Sequence, residues 1–388
     1  MAQLFGRQWT RDSLRRYAAL EQLAGVRRVQ LQEGFERGVE VCEVSTGGGL
    51  RFGVCPSRGL DIVWAEHNGR SLCWRGDNGV VHPAFYEEQN FGWLRGFAGG
   101  LLSTCGLSSF GPSCEDEGEF YGLHDRISFA PARGVAVQTV WLDEETCEFS
   151  MSGTLRQTRL FGSNLRLERR ISARLGENAL RVHDHVFNDG FEAAPMVVLY
   201  HCNFGFPLVD ERARVEVPAL RTEPRDAYAL EGLAGWAEFE LPQAGWAEQV
   251  FFHDVRPDDE GFARVGIVNP ALNMGVHLRF QTAQLPHLTQ WKCLRAGAYV
   301  CGLEPSNAPL ASRAQLRERG ELPLLEPGES REFNLEFSVV ELEDIGETQL
   351  SSRATSFEAG QTPPSNRVLE DWKEAFAPPE PNFQLRFS

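Results

Sequence analysis

From residue 25 to residue 345 the chain is built from short runs in which apolar and polar positions alternate. "GVEVCEVST", "LRLERRISARL", "ALRVHDHVFND", "MGVHLRF", "HLTQWKCL" and "AYVCGLEP" are examples, and Gly, Asn, Asp or Pro separates most of them. Successive side chains of a β-strand point to opposite faces, so a period of two predicts strands with one face on a core. Asn68-Gly69 in "HNGR" predicts a tight hairpin, because both residues accept the positive φ of a type I′ turn. More than a dozen such runs follow one another, with few helical patterns between them. That excludes an alternating βα chain and predicts an all-β fold, a large antiparallel β-sandwich with few short helices.

Three segments depart from this rhythm. "TRDSLRRYAALEQLA", residues 10–24, predicts a short helix capped by Thr10 or Asp12 and ended by Gly25, so residues 1–24 read as an N-terminal helical segment. Residues 82–122 are rich in Gly and aromatics and poor in alternation, and so long a loop within a compact fold is usually functional. Residues 346–388, with "QTPP" and "APPEPN", read as a Pro-rich extension that packs on the surface or against a neighbouring subunit. Residues 25–345 are then the working domain. The aromatic loop and the tail together suggest a homodimer.

Composition narrows the functional classes. The formal net charge is -16, which disfavours a general nucleic-acid binder or a binder of anionic membranes. Nearly every basic residue is arginine; Lys292 and Lys373 are the two lysines. Nine cysteines without a C-x-x-C pair suit reduced thiols, and no run reaches the ~20 apolar residues of a membrane span. The N-terminus has no continuous apolar core, so a cytoplasmic protein is expected. P-loop, G-x-G-x-x-G, H-E-x-x-H and G-x-S-x-G motifs are absent from the sequence, which weighs against nucleotide, dinucleotide and serine-hydrolase chemistry.

What remains is a set of polar residues on strand-like faces. His124 and Arg126 in "YGLHDRIS", His201 and Asn203 in "LYHCNFGF", and Gln290 and Lys292 in "LTQWKCL" each stand two apart, with Trp291 opposite the last pair. His183 and His185 in "VHDHVFN" share a face and could form half of a metal site, but spacing fixes no third ligand. If these faces converge they form a wet groove, and donors, acceptors and an aromatic ring together suit a carbohydrate. Glu304, just before Pro305, either ends a strand or supplies a base.

The segments "YVCGLEPSNAP", "LYHCNFGFP" and "YGLHDRIS", with "SRGLDI" and "QWK", resemble the aldose 1-epimerase (galactose mutarotase-like) superfamily and look like an uncharacterised branch of it. The resemblance implies a supersandwich fold and sugar mutarotation without an organic cofactor. It implies Glu304 as the base at the sugar O1 hydroxyl and His201 as the acid at the ring oxygen. His124 and Arg126 would bind hydroxyls, and Asp254 would stand for the family's substrate-binding aspartate. Tyr200 occupies the place of the usual asparagine before the histidine. Asn203, Gln290, Trp291 and Lys292 complete the expected sugar site, and Lys292 with Arg126 could select an anionic sugar. Two alternatives stay open: another sugar epimerase, isomerase or lyase on the same scaffold, and a non-catalytic carbohydrate-binding protein.

Overall fold

The computed structural model describes residues 2–342, so the Pro-rich extension at 346–388 lies outside the described residues. The alternating runs form antiparallel sheets. An eight-stranded sheet runs, in spatial order, Arg133–Trp141, Cys147–Thr158, Asn164–Arg174, Ala179–Asn188, Ser330–Glu341, Met274–Gln281, Phe262–Asn269 and Arg214–Glu216. A six-stranded sheet runs Ala219–Pro224, Gln249–Val255, His287–Arg295, Ala298–Ser306, Val197–Gly205 and Ser103–Leu107. A five-stranded sheet, Gly25–Gln30 through Arg70–Ser71, completes the layers. Every pairing in these sheets is antiparallel, as the short turns require. His67 pairs with Arg70 across Asn68 and Gly69, both at positive φ, which is the predicted hairpin.

One continuous apolar core joins the sheets. It takes Phe149 and Leu167 from the eight-stranded sheet, Tyr200 and Leu303 from the six-stranded sheet and Phe52 from the five-stranded sheet. A buried ionic network crosses the same core. Arg169 donates to both carboxylate oxygens of Asp184 (2.8 and 2.6 Å) and to Asp61 (2.9 Å), and the Tyr200 hydroxyl donates to Asp184 (2.7 Å). Tyr200 thus points away from the face of its neighbour His201 and ties its strand to the opposite sheet.

The N-terminal segment differs from the predicted single helix. Ala2–Leu4 pairs with Arg7–Trp9, and the helical turns cover only Arg11–Leu14 and Leu20–Gln22. Thr10 is the N-cap, with its side chain accepting from the Ser13 N–H. Leu14 is buried but Tyr17 is 74% exposed, so the segment has no continuous apolar stripe to hold a longer helix against the core. Residues 82–122 also hold more structure than their composition suggests, because Ser103–Leu107 is a fully buried edge strand beside Val197–Gly205.

Candidate active site

Strand alternation decides which residues meet. In Val197–Gly205, Val198, Tyr200, Cys202 and Phe204 face the main core, whereas Val197 and Leu199 join a second apolar cluster with Trp93 and Phe97. His201 shares that second face. In Ala298–Ser306, Cys301 and Leu303 face the core, which turns Glu304 to the other side. In His287–Arg295, Thr289 lies opposite Glu304 and Trp291 opposite Gly302. The three strands therefore put His201, Glu304, Thr289 and Trp291 on one wall of a cavity of about 290 Å³. The opposite wall comes from the aromatic segment, through Phe91, Trp93, Leu94 and Phe97. Trp74 enters because Gly205 lets it approach: a Cβ on Gly205 would lie 2.6 Å from the Trp74 Cα.

His201 Nε2 lies 3.3 Å from Glu304 Oε1, and the two side chains are 7% and 3% exposed. Neither His201 Nδ1 nor Glu304 Oε1 has an aligned hydrogen-bond partner. Buried polar atoms in native proteins are rarely left so, and here both belong to a cavity-lining pair. Burial pushes the Glu304 carboxyl well above the usual carboxylate range, the Glu248 charge adds to this, and Arg225 opposes it. Burial lowers the His201 imidazole to about 4, with Asn203 pulling the other way. His124 is held well below the usual imidazole value, first by burial and then by His201, whose ring centroid is 5.5 Å away. Two groups displaced in opposite directions beside one cavity are what paired acid–base chemistry uses.

The structure brings together His201, Glu304, His124 and Trp291 of the expected residues, and it places five elsewhere. Segment 124–126 is not a strand: His124 and Asp125 both have positive φ, so His124 and Arg126 diverge. Arg126 is exposed, pairs with Glu88 and lies 3.6 Å from Asp125, away from the cavity. Gln290 and Lys292 are on the strand face opposite Trp291. Gln290 bonds His253 (3.0 Å) and the Trp236 carbonyl (2.8 Å), and the Lys292 ammonium donates to the Gly235 carbonyl (2.9 Å). Asn203 is fully buried behind His201, donating to the carbonyls of Gly100 and His201. Asp254 is exposed on its strand and does not line the cavity.

In its place the cavity holds two residues that sequence reasoning missed. Arg225 follows the strand Ala219–Pro224 and Glu248 precedes Gln249–Val255, so strand pairing sets them side by side. Arg225 donates to Glu248 Oε1 (2.8 Å) and to Asp226 (2.9 Å), and the Trp291 indole N–H donates to Glu248 Oε2 (2.9 Å). No local motif marks either residue. His183 and His185 line a separate shallow depression on the eight-stranded sheet, near Asn334 and Glu332. Among the described residues, no group of three or more His, Cys, Asp or Glu is arranged to hold a metal ion.

The comparisons with known proteins bear on the family and the fold. A family model described as a domain of unknown function (DUF4432) matches residues 36–339. No curated protein matches the sequence. A solved structure of a candidate aldose 1-epimerase from Klebsiella pneumoniae is 26% identical, covers 89% of this chain and 93% of its own, and superposes with a TM-score of 0.82. A galactose mutarotase-like protein from Clostridium acetobutylicum (13% identity, TM-score 0.55) and a galactose 1-epimerase from Lactobacillus acidophilus (13%, 0.53) each cover 82% of this chain and 99% of their own, and share the fold. The architecture is the galactose mutarotase-like β-sandwich, and among the described residues no helix is long and apolar enough to cross a membrane.

Proposed function

The chain belongs to the DUF4432 family, and we propose that it acts as an aldose 1-epimerase, interconverting sugar anomers through the Glu304–His201 pair. The observation that carries this reading is the 3.3 Å approach of His201 Nε2 to Glu304 Oε1 at one wall of a cavity of monosaccharide size. Residues 25–345 are the proposed catalytic unit, and nine free thiols, eight of them buried, accord with a reducing, cytoplasmic setting.

In the productive complex the pair carries one proton. Glu304 as carboxylate takes the proton of the sugar O1 hydroxyl while His201 as imidazolium gives one to the ring oxygen. The C1–O5 bond breaks, O1 becomes the aldehyde oxygen, and the proton count of the pair is unchanged. Rotation about C1–C2 presents the other face, and closure reverses both transfers. Burial by itself favours the same proton on Glu304 and a neutral His201. Sugar hydroxyls that hydrogen-bond the carboxylate offset that preference. His124 lines the cavity as a hydroxyl-binding residue, and Trp291 offers a ring to the apolar sugar face.

The test is exchange-rate NMR on a panel of aldoses, comparing wild type with Glu304→Gln and His201→Gln. Removing a positioned acid or base is expected to slow exchange by about 10²–10⁴-fold. Sugar binding without accelerated exchange by the wild type overturns the epimerase reading in favour of a carbohydrate-binding protein.

A further inference from the structure

The cavity wall also carries information about the sugar. Trp93, Phe97 and Trp291 surround His201, and Trp74 braces Phe97 and Trp291. Trp93 stacks on Phe97 with centroids 4.5 Å apart, Trp74 meets Trp291 edge-on at 6.4 Å, and Phe97 and Trp291 lie 5.2 and 5.3 Å from the His201 ring. About 290 Å³ is the low end for small-molecule sites and suits one monosaccharide.

Apart from the Glu304–His201 pair, the charged groups lining the cavity are already matched. Arg225 is held between Glu248 and Asp226, and both Glu248 oxygens are occupied, one by Arg225 and one by the Trp291 N–H. Asn78 donates to the Leu94 carbonyl at 2.8 Å. A carboxylate, phosphate or sulfonate on the sugar would meet a guanidinium shared by two carboxylates, with Glu304 close by. Lys292 and Arg126, the cations that could have selected an anion, are outside the cavity. A fully hydroxylated sugar has the opposite problem. Each hydroxyl turned to the aromatic wall gives up water and gains no partner.

Resting on the epimerase reading above, we propose that the substrate is a neutral, hydroxyl-poor monosaccharide, a deoxy sugar whose deoxygenated edge lies against Trp74, Trp93, Phe97 and Trp291. Aromatic faces recognise C–H surface, and the few polar groups near His201 and Glu304 serve the anomeric end.

The experiment uses matched pairs: galactose with 6-deoxygalactose, glucose with its 2-, 3- and 6-deoxy forms, and galacturonate and galactose 6-phosphate as acidic members. Two readouts are taken on the full chain, anomeric exchange by NMR and affinity by quenching of tryptophan fluorescence. The expected result is one deoxy sugar at least about ten-fold better than its parent in both, with the acidic sugars at background. A parent hexose or an acidic sugar that outperforms every deoxy form overturns the substrate class while leaving the epimerase reading intact. Tighter binding of a deoxy sugar without accelerated exchange keeps the class and overturns the epimerase reading. Neither binding nor exchange with any sugar overturns both.

Discussion

A methyl group on the Cα of Gly302 would lie 2.4 Å from Glu304 Oε1 and 3.2 Å from the Trp291 Cβ. The glycine two residues before the proposed base therefore clears the space its carboxylate occupies. Gly302→Ala keeps an ordinary backbone conformation, since Gly302 is not among the positive-φ residues. The atom in its way is the free end of a side chain, so the carboxylate moves and the strand stays. The expected outcome is a fall in kcat/KM of about ten-fold or more, because misplacement by an ångström is costly in acid–base catalysis, with a small change in Tm. An equal loss of both, measured by exchange NMR and thermal unfolding, would show the glycine to be structural only.

Glu304 is expected to cost stability. Its folded-state pKa is raised, chiefly by burial, so folding at neutral pH requires a proton that the unfolded chain has lost. The contribution is complete below the unfolded carboxyl value of about 4.3 and is lost as pH rises toward the folded one, at about 1.4 kcal/mol per unit. Glu304→Gln removes this term. The variant is expected to unfold at a higher temperature than wild type at pH 7 to 8, with the curves converging near pH 4. A wild type that is the more stable at pH 8 would contradict the assignment.

Much of the fold and part of the site could be read from the alternation alone. Phase along a strand puts Trp291 opposite Gln290 and Lys292, as the structure does. It could not say which face was the cavity, because both faces of Val197–Gly205 are buried and apolar. Nor does phase say which face of His287–Arg295 lines the cavity, so it leaves Gln290 and Lys292 as candidates beside Trp291. Arg126 lies outside the cavity for a different reason. His124 and Asp125 adopt left-handed backbone, which a period-two pattern does not register. Arg225 and Glu248 meet through strand pairing between residues distant in sequence, and no local spacing encodes that.

The pH dependence follows from the one-proton requirement. Activity falls on the acid side when the pair gains a second proton and on the alkaline side when it loses its only one, and the apparent values belong to the pair. With His201 lowered to about 4, the acid limb of kcat/KM is expected below the ordinary histidine range. The alkaline limb is expected above the usual carboxylate range, since Glu304 is raised. Glu248 contributes to that rise, so Glu248→Gln lowers the Glu304 value and is expected to move the alkaline limb to lower pH. An unmoved limb in Glu248→Gln, with the acid limb also unchanged, would remove Glu304 from the titration.

The Arg169 network supplies the last expectation. Arg169 and Asp184 are fully buried, and Asp61 and the Tyr200 hydroxyl share their charge and hydrogen bonds across the sheets. Replacing a buried pair by apolar groups is often neutral, but removing one partner leaves an uncompensated charge and costs about 3–5 kcal/mol. Arg169→Met leaves Asp61 and Asp184 buried without their cation and is therefore expected to lower the unfolding free energy from urea titration by an amount in that range. Tyr200→Phe removes one hydrogen bond to Asp184 and leaves the ion pair, so a loss of about 1 kcal/mol is expected. The contrast between the two is decisive: a cost for Tyr200→Phe as large as that for Arg169→Met would mean that the hydroxyl bond between the sheets, and not the ion network, dominates the stability of this buried cluster.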